Sequence, residues 1–303
     1  MPRRPKKAID MTYSKQTYVY KTVQDCQIHA DVYLSPGEEQ RPAILWMHGG
    51  ALIFGDRRML HPEQMELYLT AGYTVVSIDY RLAPETKLQA ILEDVRDAYN
   101  WVSRQGPELF NVDPDRLAVM GHSAGGYLTL MAGFSVRPRP KALVSFYGYG
   151  DIVGEWYSRP DPHYNKEPTI SPEMARQGVG GPVITGSQIV GFSDQRWLFY
   201  LYCRQQGLWP KEVTGYNPHT DLRAFEQFCP VRNVTQDYPP TLLQSCTVCL
   251  VKRVCLPMRN CRGENRYEKE SCCQPCHLSF CIGANYWLAV IKVQKGAVIH
   301  SNW

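Results

Sequence analysis

Apolar runs without polar alternation recur along the chain, each followed by a glycine-rich or polar break and then by residues at helical spacing. Ala43-Ile44-Leu45-Trp46, Thr74-Val75-Val76-Ser77-Ile78, Leu117-Ala118-Val119-Met120 and Lys141-Ala142-Leu143-Val144-Ser145-Phe146-Tyr147 read as strands buried on both faces of a parallel sheet. Between them, Pro62 to Ala71 and Tyr127 to Ala132 read as helices. Leu88 to Gln105 does so most strongly, with apolar residues at 88, 91, 92, 95, 98, 99 and 102 and Gly106-Pro107 as its stop. Upstream, the β-branched and aromatic runs 18–23 and 28–34 are separated by Gln24-Asp25-Cys26-Gln27 and predict an antiparallel hairpin at the sheet edge. Strand and helix alternate throughout. That order predicts a mostly parallel sheet with right-handed crossovers, helices on both faces and a site at the strands' carboxyl ends.

From Gly150 to about Thr220 the pattern changes to proline, glycine and aromatic residues with short helices. Ser171-Pro172-Glu173 has the order of a helix start, and Ser193-Asp194 opens another helix. Trp156, Trp197, Phe199, Tyr202 and Trp209 fit either a core or the lining of an acyl pocket. Asp94 and Asp97 are placed on the solvated face of their helix rather than in acid/base chemistry. Pro230 to Pro240 leads to a last strand opening at Thr241-Leu242-Leu243.

Composition changes this picture only at the ends. The 303 residues are 44% hydrophobic and 20% charged, as in ordinary globular proteins. The formal charge is +4, but residues 246–303 alone carry eight Lys/Arg against three Glu, so the rest is nearly neutral. Eight of the eleven cysteines also lie between Cys246 and Cys281. No run approaches a membrane span, and Met1-Pro2-Arg3-Arg4-Pro5-Lys6-Lys7 lacks the apolar stretch of a secretory signal. The expected location is therefore intracellular and cytoplasmic. The basic start reads as a solvated terminus with no nucleic-acid partner.

Two glycine-rich motifs carry the chemistry. Gly121-His122-Ser123-Ala124-Gly125 follows a buried run and precedes a helix, the context of a nucleophile elbow, where a serine is exposed on a tight strand-to-helix turn. His48-Gly49-Gly50-Ala51 follows another such run, and a loop of that kind aims backbone N–H groups at a developing oxyanion. Together with Asp79-Tyr80-Arg81-Leu82-Ala83-Pro84-Glu85, these motifs resemble those of the α/β-hydrolases of the hormone-sensitive-lipase type, in family order from about residue 15 to residue 243. The resemblance implies an α/β-hydrolase fold with a cap inserted at about 151–220. It implies Ser123 as nucleophile, an oxyanion hole from the amides of Gly50, Ala51 and Ala124 with Gly49 as a further candidate, and no cofactor or metal. The implied substrate is a small-molecule acyl ester or thioester, and the overall look is similar to fungal hydrolases of secondary-metabolite or toxin clusters. The domain division is then a tail at 1–17, the hydrolase domain at 18–243 and a non-family tail at 244–303. Peroxisomal relatives end in a Ser-Lys-Leu-like tripeptide, and Ser301-Asn302-Trp303 would have to be replaced for that address.

Past Leu243 the resemblance ends. Relatives continue into H-G-x-x-D, whose aspartate would fall near Cys249, and then to a histidine before a glycine; neither is present. Three readings follow. Chain order allows a triad from Ser123, then Glu264, Glu268 or Glu270, then His277 or His300. Cys246-x-x-Cys249 and Cys273-x-x-Cys276 have the spacing of zinc knuckles. The coincident jump in cysteine and basic charge and the loss of aspartate resemble an out-of-frame 3′ end, with the last part of the fold missing or replaced. We adopt the third reading. It also keeps open a binding protein without hydrolytic activity as the alternative to a serine hydrolase.

Overall fold

The computed structural model describes residues 13–189, 194–245, 287–294 and 297–301. A hairpin of β1 (Ser14–Val23) and β2 (Cys26–Leu34) opens the chain, with Gln24 at φ 53° in its turn. There follow β3 (Arg41–Met47), α1 (Pro62–Thr70), β4 (Thr74–Ile78), α2 (Leu88–Phe110), β5 (Val112–His122), α3 (Ala124–Ser135) and β6 (Ala142–Phe146). The short cap helices are α4 (Glu155–Ser158), α5 (Pro172–Arg176), α6 (Asp194–Gln206) and α7 (Trp209–Thr214), and β7 (Thr241–Ser245) follows them. The sheet order is β1-β2-β4-β3-β5-β6-β7, parallel from β4 to β7. It is continued by β8 (Trp287–Gln294) and β9 (Ala297–Ser301).

Alternation along the central strands sends side chains to two cores. Leu45, Met47, Val76, Ile78 and Val119 face α2, α3 and the cap. Ile44, Trp46, Val75 and Met120 face α1 through Met65 and Leu69. The helices thus cover both faces of a mostly parallel sheet, as the sequence predicts.

Two expectations change. Helix α2 runs past Gly106-Pro107 to Phe110, where Asn111 in the left-handed region caps it. Burying Phe110 against Trp101 and Tyr18, with ring centroids at 5.3 and 5.8 Å, holds the extra turn. Asp94 is not solvated. It is fully buried, paired with Arg81 Nε at 2.7 Å and Lys21 Nζ at 2.8 Å, whereas Asp97 keeps 47% exposure. Beyond β7 the sheet continues antiparallel through β8 and β9. The knuckle cysteines, Cys249, Glu264, Glu268, Glu270 and His277 lie outside the described residues.

Candidate active site

Ser123 stands alone between the end of β5 and the start of α3, at φ 54° and ψ −118°. A non-glycine residue there costs on the order of 1–3 kcal/mol and persists only where its surroundings over-determine it. Its N–H donates to Phe146 O at 2.9 Å, and its own carbonyl accepts from Tyr127 N–H at 2.9 Å. The elbow also presses directly on β3. A Cβ on Gly125 would lie 2.1 Å from Met47 O, and one on Gly121 2.5 Å from Gly125 O, so only glycine fits either position. Ala124 is the first residue of α3, and its N–H therefore has no carbonyl partner within the helix.

Loop 48–53 leaves β3 through Gly50, Ala51 and Leu52, all at positive φ (112°, 55° and 65°). Each of its carbonyls is engaged. His48 O accepts from Tyr80 Oη at 2.9 Å, Gly49 O from His48 Nδ1 at 2.7 Å, and Gly50 O from the amides of Ile53 and Phe54 at 2.8 and 2.9 Å. Ala51 O accepts from Trp209 Nε1 at 2.9 Å, Leu52 O from Ala83 N–H at 2.8 Å, and Ile53 O from Arg196 Nε at 2.6 Å.

Gly49 N–H donates to His122 Nε2 at 3.3 Å. Gly49 is therefore corrected as an oxyanion donor, since its amide is already occupied, and the candidates narrow to Gly50, Ala51 and Ala124. The same bond places the proton of neutral His122 on Nδ1. Burial, with a smaller contribution from His48, pushes the His122 imidazole down to about 4. Burial also lowers His48, whose ring stacks on Tyr80 at 4.1 Å. Both histidines act as braces of the glycine loop. No hydrogen bond joins Ser123 Oγ to a histidine among the described residues.

The signature at 79–85 sits beneath this loop and joins it to the cap. Asp79 accepts from Arg57 Nη1 at 2.6 Å and from Ser187 Oγ at 2.5 Å. Glu85 pairs with Arg196 of α6 at 2.7 Å, both side chains being 3% exposed. Nothing in this set reaches Ser123; it supports the loop that does.

A cavity of about 90 Å³ opens beside Ser123 and Ala51, walled by Tyr147, Tyr149, Tyr157, Tyr200 and Trp209. Of the five aromatic residues that the sequence offers for a pocket, Trp209 lines it and Phe199 is core. Trp156 and Tyr202 are partly buried and pack against that core, and Trp197 lies against Phe54 and Tyr200 at 5.9 and 5.5 Å between ring centroids. The tyrosines were missed. Tyr147-Gly148-Tyr149 follows β6, a parallel strand beside the nucleophile strand, and position at a carboxyl end is the signal that could have found these two. Arg204 holds the wall from behind, stacked over Tyr157 at 4.8 Å and donating to Tyr200 Oη at 2.9 Å.

The structure does not bring His300 to Ser123. Pairing places Val119, Leu143, Thr241, Ile291 and His300 in one row across the sheet. Four strand spacings make roughly 19 Å sideways, and the four residues from Val119 to Ser123 add roughly 13 Å along the strand. That separation corrects His300 as a triad candidate. Among the described residues no group of three or more His, Cys, Asp or Glu is arranged to hold a metal ion, and no helix is long and apolar enough to cross a membrane.

Comparison with known proteins agrees with this fold. Residues 44–180 match the alpha/beta hydrolase fold family. Over 190 residues the chain is 34% identical to the non-reducing polyketide synthase atr1 of Stereocaulon alpinum, which covers 58% of this chain and 8% of that protein. The chain spans about 8% of the length of the curated relatives it matches. An alpha/beta hydrolase superfamily protein from Enterococcus faecalis superposes with TM-score 0.55 at 25% identity, over 75% of this chain and 77% of that one. A Pyrobaculum calidifontis esterase does so with TM-score 0.50 at 24% identity, over 77% and 65%.

Proposed function

From the premise that this chain carries an α/β-hydrolase domain, we propose that it is a serine hydrolase acting on a carboxylic ester or thioester through Ser123. The observation that carries the proposal is Ser123 at φ 54°, held at the elbow and opening on the same cavity as Ala51. Ser123 Oγ attacks the acyl carbonyl, the amides of Gly50, Ala51 and Ala124 receive the oxyanion, and the alcohol or thiol leaves with a proton. Water then hydrolyses the acyl-enzyme. The polyketide synthases among its relatives support an ester or thioester of a polyketide product as substrate, and hence a tailoring step in secondary metabolism.

The second reading, an α/β-hydrolase-like binding protein, is favoured by one observation: no described histidine meets Ser123. Labelling and turnover separate the two. A fluorophosphonate probe is expected to label the chain and to lose that labelling in Ser123→Ala; labelling that persists in the variant would overturn the nucleophile. With p-nitrophenyl acetate, a hydrolase releases a burst of one equivalent of p-nitrophenol and a binder releases none.

A further inference from the structure

Trp209 belongs to both halves of the site. Its ring walls the cavity together with Ser123, its Nε1–H donates to Ala51 O at 2.9 Å, and it is only 1% exposed. The geometry points to Trp209 as a positioning residue that aligns Ala51 and makes this alignment depend on the size of the acyl group. The inference rests on Ala51's amide being an oxyanion donor.

Ala51 and Leu52 are consecutive non-glycine residues at φ 55° and 65°, a conformation that L-residues leave readily unless held. The carbonyl joining them is the group that Trp209 captures. Fixing it fixes the peptide plane between the two residues and, with it, the backbone at Ala51, whose N–H is the proposed oxyanion donor. Without the indole donor this plane is free to turn, and the amide loses its aim. Substrate binding elsewhere is untouched.

The indole has little room to move. Tyr157 lies at 4.6 Å and Tyr149 at 5.6 Å between ring centroids, and Arg204 backs Tyr157. A cavity of about 90 Å³ corresponds to roughly three water volumes. An acyl chain of two to four carbons fits. A longer one that runs toward the indole pushes Trp209 aside and takes its N–H off Ala51 O. Discrimination against long chains then appears in the rate of the chemical step rather than in affinity.

The test uses p-nitrophenyl methylphosphonate and hexylphosphonate esters on the full chain, reading the maximal rate of Ser123 modification separately from the half-saturating concentration. The methyl reagent is expected to react about ten- to a hundredfold faster at saturation, as for loss of alignment at a reacting centre, with similar half-saturation. Trp209→Phe should bring the methyl rate down to the hexyl rate. Replacement of Trp209 by 3-benzothienylalanine, which keeps the two-ring shape without the N–H, should do the same with the wall intact. A wild-type methyl rate in that isostere overturns the inference. Hydrogen exchange over residues 49–53 is read in parallel and should accelerate in both variants; unchanged exchange also overturns it. If no phosphonate modifies the wild-type chain while exchange still responds, the nucleophile assignment fails and the clamp stands.

Discussion

The elbow and the cap close on one cavity but are fixed by different contacts. At the elbow backbone lies against backbone: added Cβ atoms on Gly121, Gly125 and Gly126 would approach main-chain atoms to 2.5, 2.1 and 2.9 Å. In the cap side chains lie against side chains, with Arg204 among Tyr157, Tyr164 and Tyr200 at 4.8, 4.5 and 5.8 Å. A side chain in a wall yields by changing rotamer, whereas a peptide group in a ladder does not. The elbow should therefore be intolerant of single atoms, and the cap should tolerate changes of shape while depending on a few buried charges.

The largest effect that tests this contrast is Gly125→Ala. Backbone overlap with Met47 O and His48 O leaves no rotamer to relieve it, and a loss of more than about 3 kcal/mol is expected in denaturant unfolding. A loss under about 1 kcal/mol would show that β3 and the elbow slide apart. Next is the joint between the two regions, Glu85→Gln. It leaves Arg196 charged and buried on carbonyl oxygens, and about 3 kcal/mol should be lost. Loss of cap protection in hydrogen exchange while the sheet stays protected would locate that cost at the joint.

The smallest effect is titration of His122. Its folded-state value, pushed down to about 4, lies below the ordinary imidazole value near 6.5. The unfolded chain therefore takes up a proton first as pH falls. Stability is unaffected above about pH 7, declines through pH 6.5 to 4 and levels below. For a ring that is partly exposed we expect a loss of about 1–2 kcal/mol. His122→Gln should flatten that slope in unfolding midpoints taken at pH 7 and 4.5; an unchanged slope would assign it to other groups.

Legibility follows the same division. Strands such as 74–78 are readable because burial on both faces leaves an unbroken apolar run, and the elbow because its glycines are required by sterics. The burial of Asp94 is not legible in the sequence because its partners, Arg81 and Lys21, lie 13 and 73 residues away and local periodicity carries no trace of them. The stop at Gly106-Pro107 failed because burial of Phe110 outweighs the local penalty of a proline in the helix. The tyrosine wall was hidden for a related reason. Tyr147 and Tyr149 follow β6, Tyr157 belongs to α4 and Tyr200 to α6, and only the tertiary fold brings them to one cavity.

The bracing of loop 48–53 also orders events during synthesis. Tyr80 reaches His48 over 32 residues, Arg196 reaches Ile53 over 143, and Trp209 reaches Ala51 over 158. Contacts of such long sequence separation form late, because the intervening chain must first be closed into a loop. The early strands and the elbow thus emerge from the ribosome well before the residues that hold Ala51 at positive φ. A nascent chain that has reached Ser123 carries an exposed serine hydroxyl but lacks the later donors of loop 48–53, and the arrival of α7 completes that set.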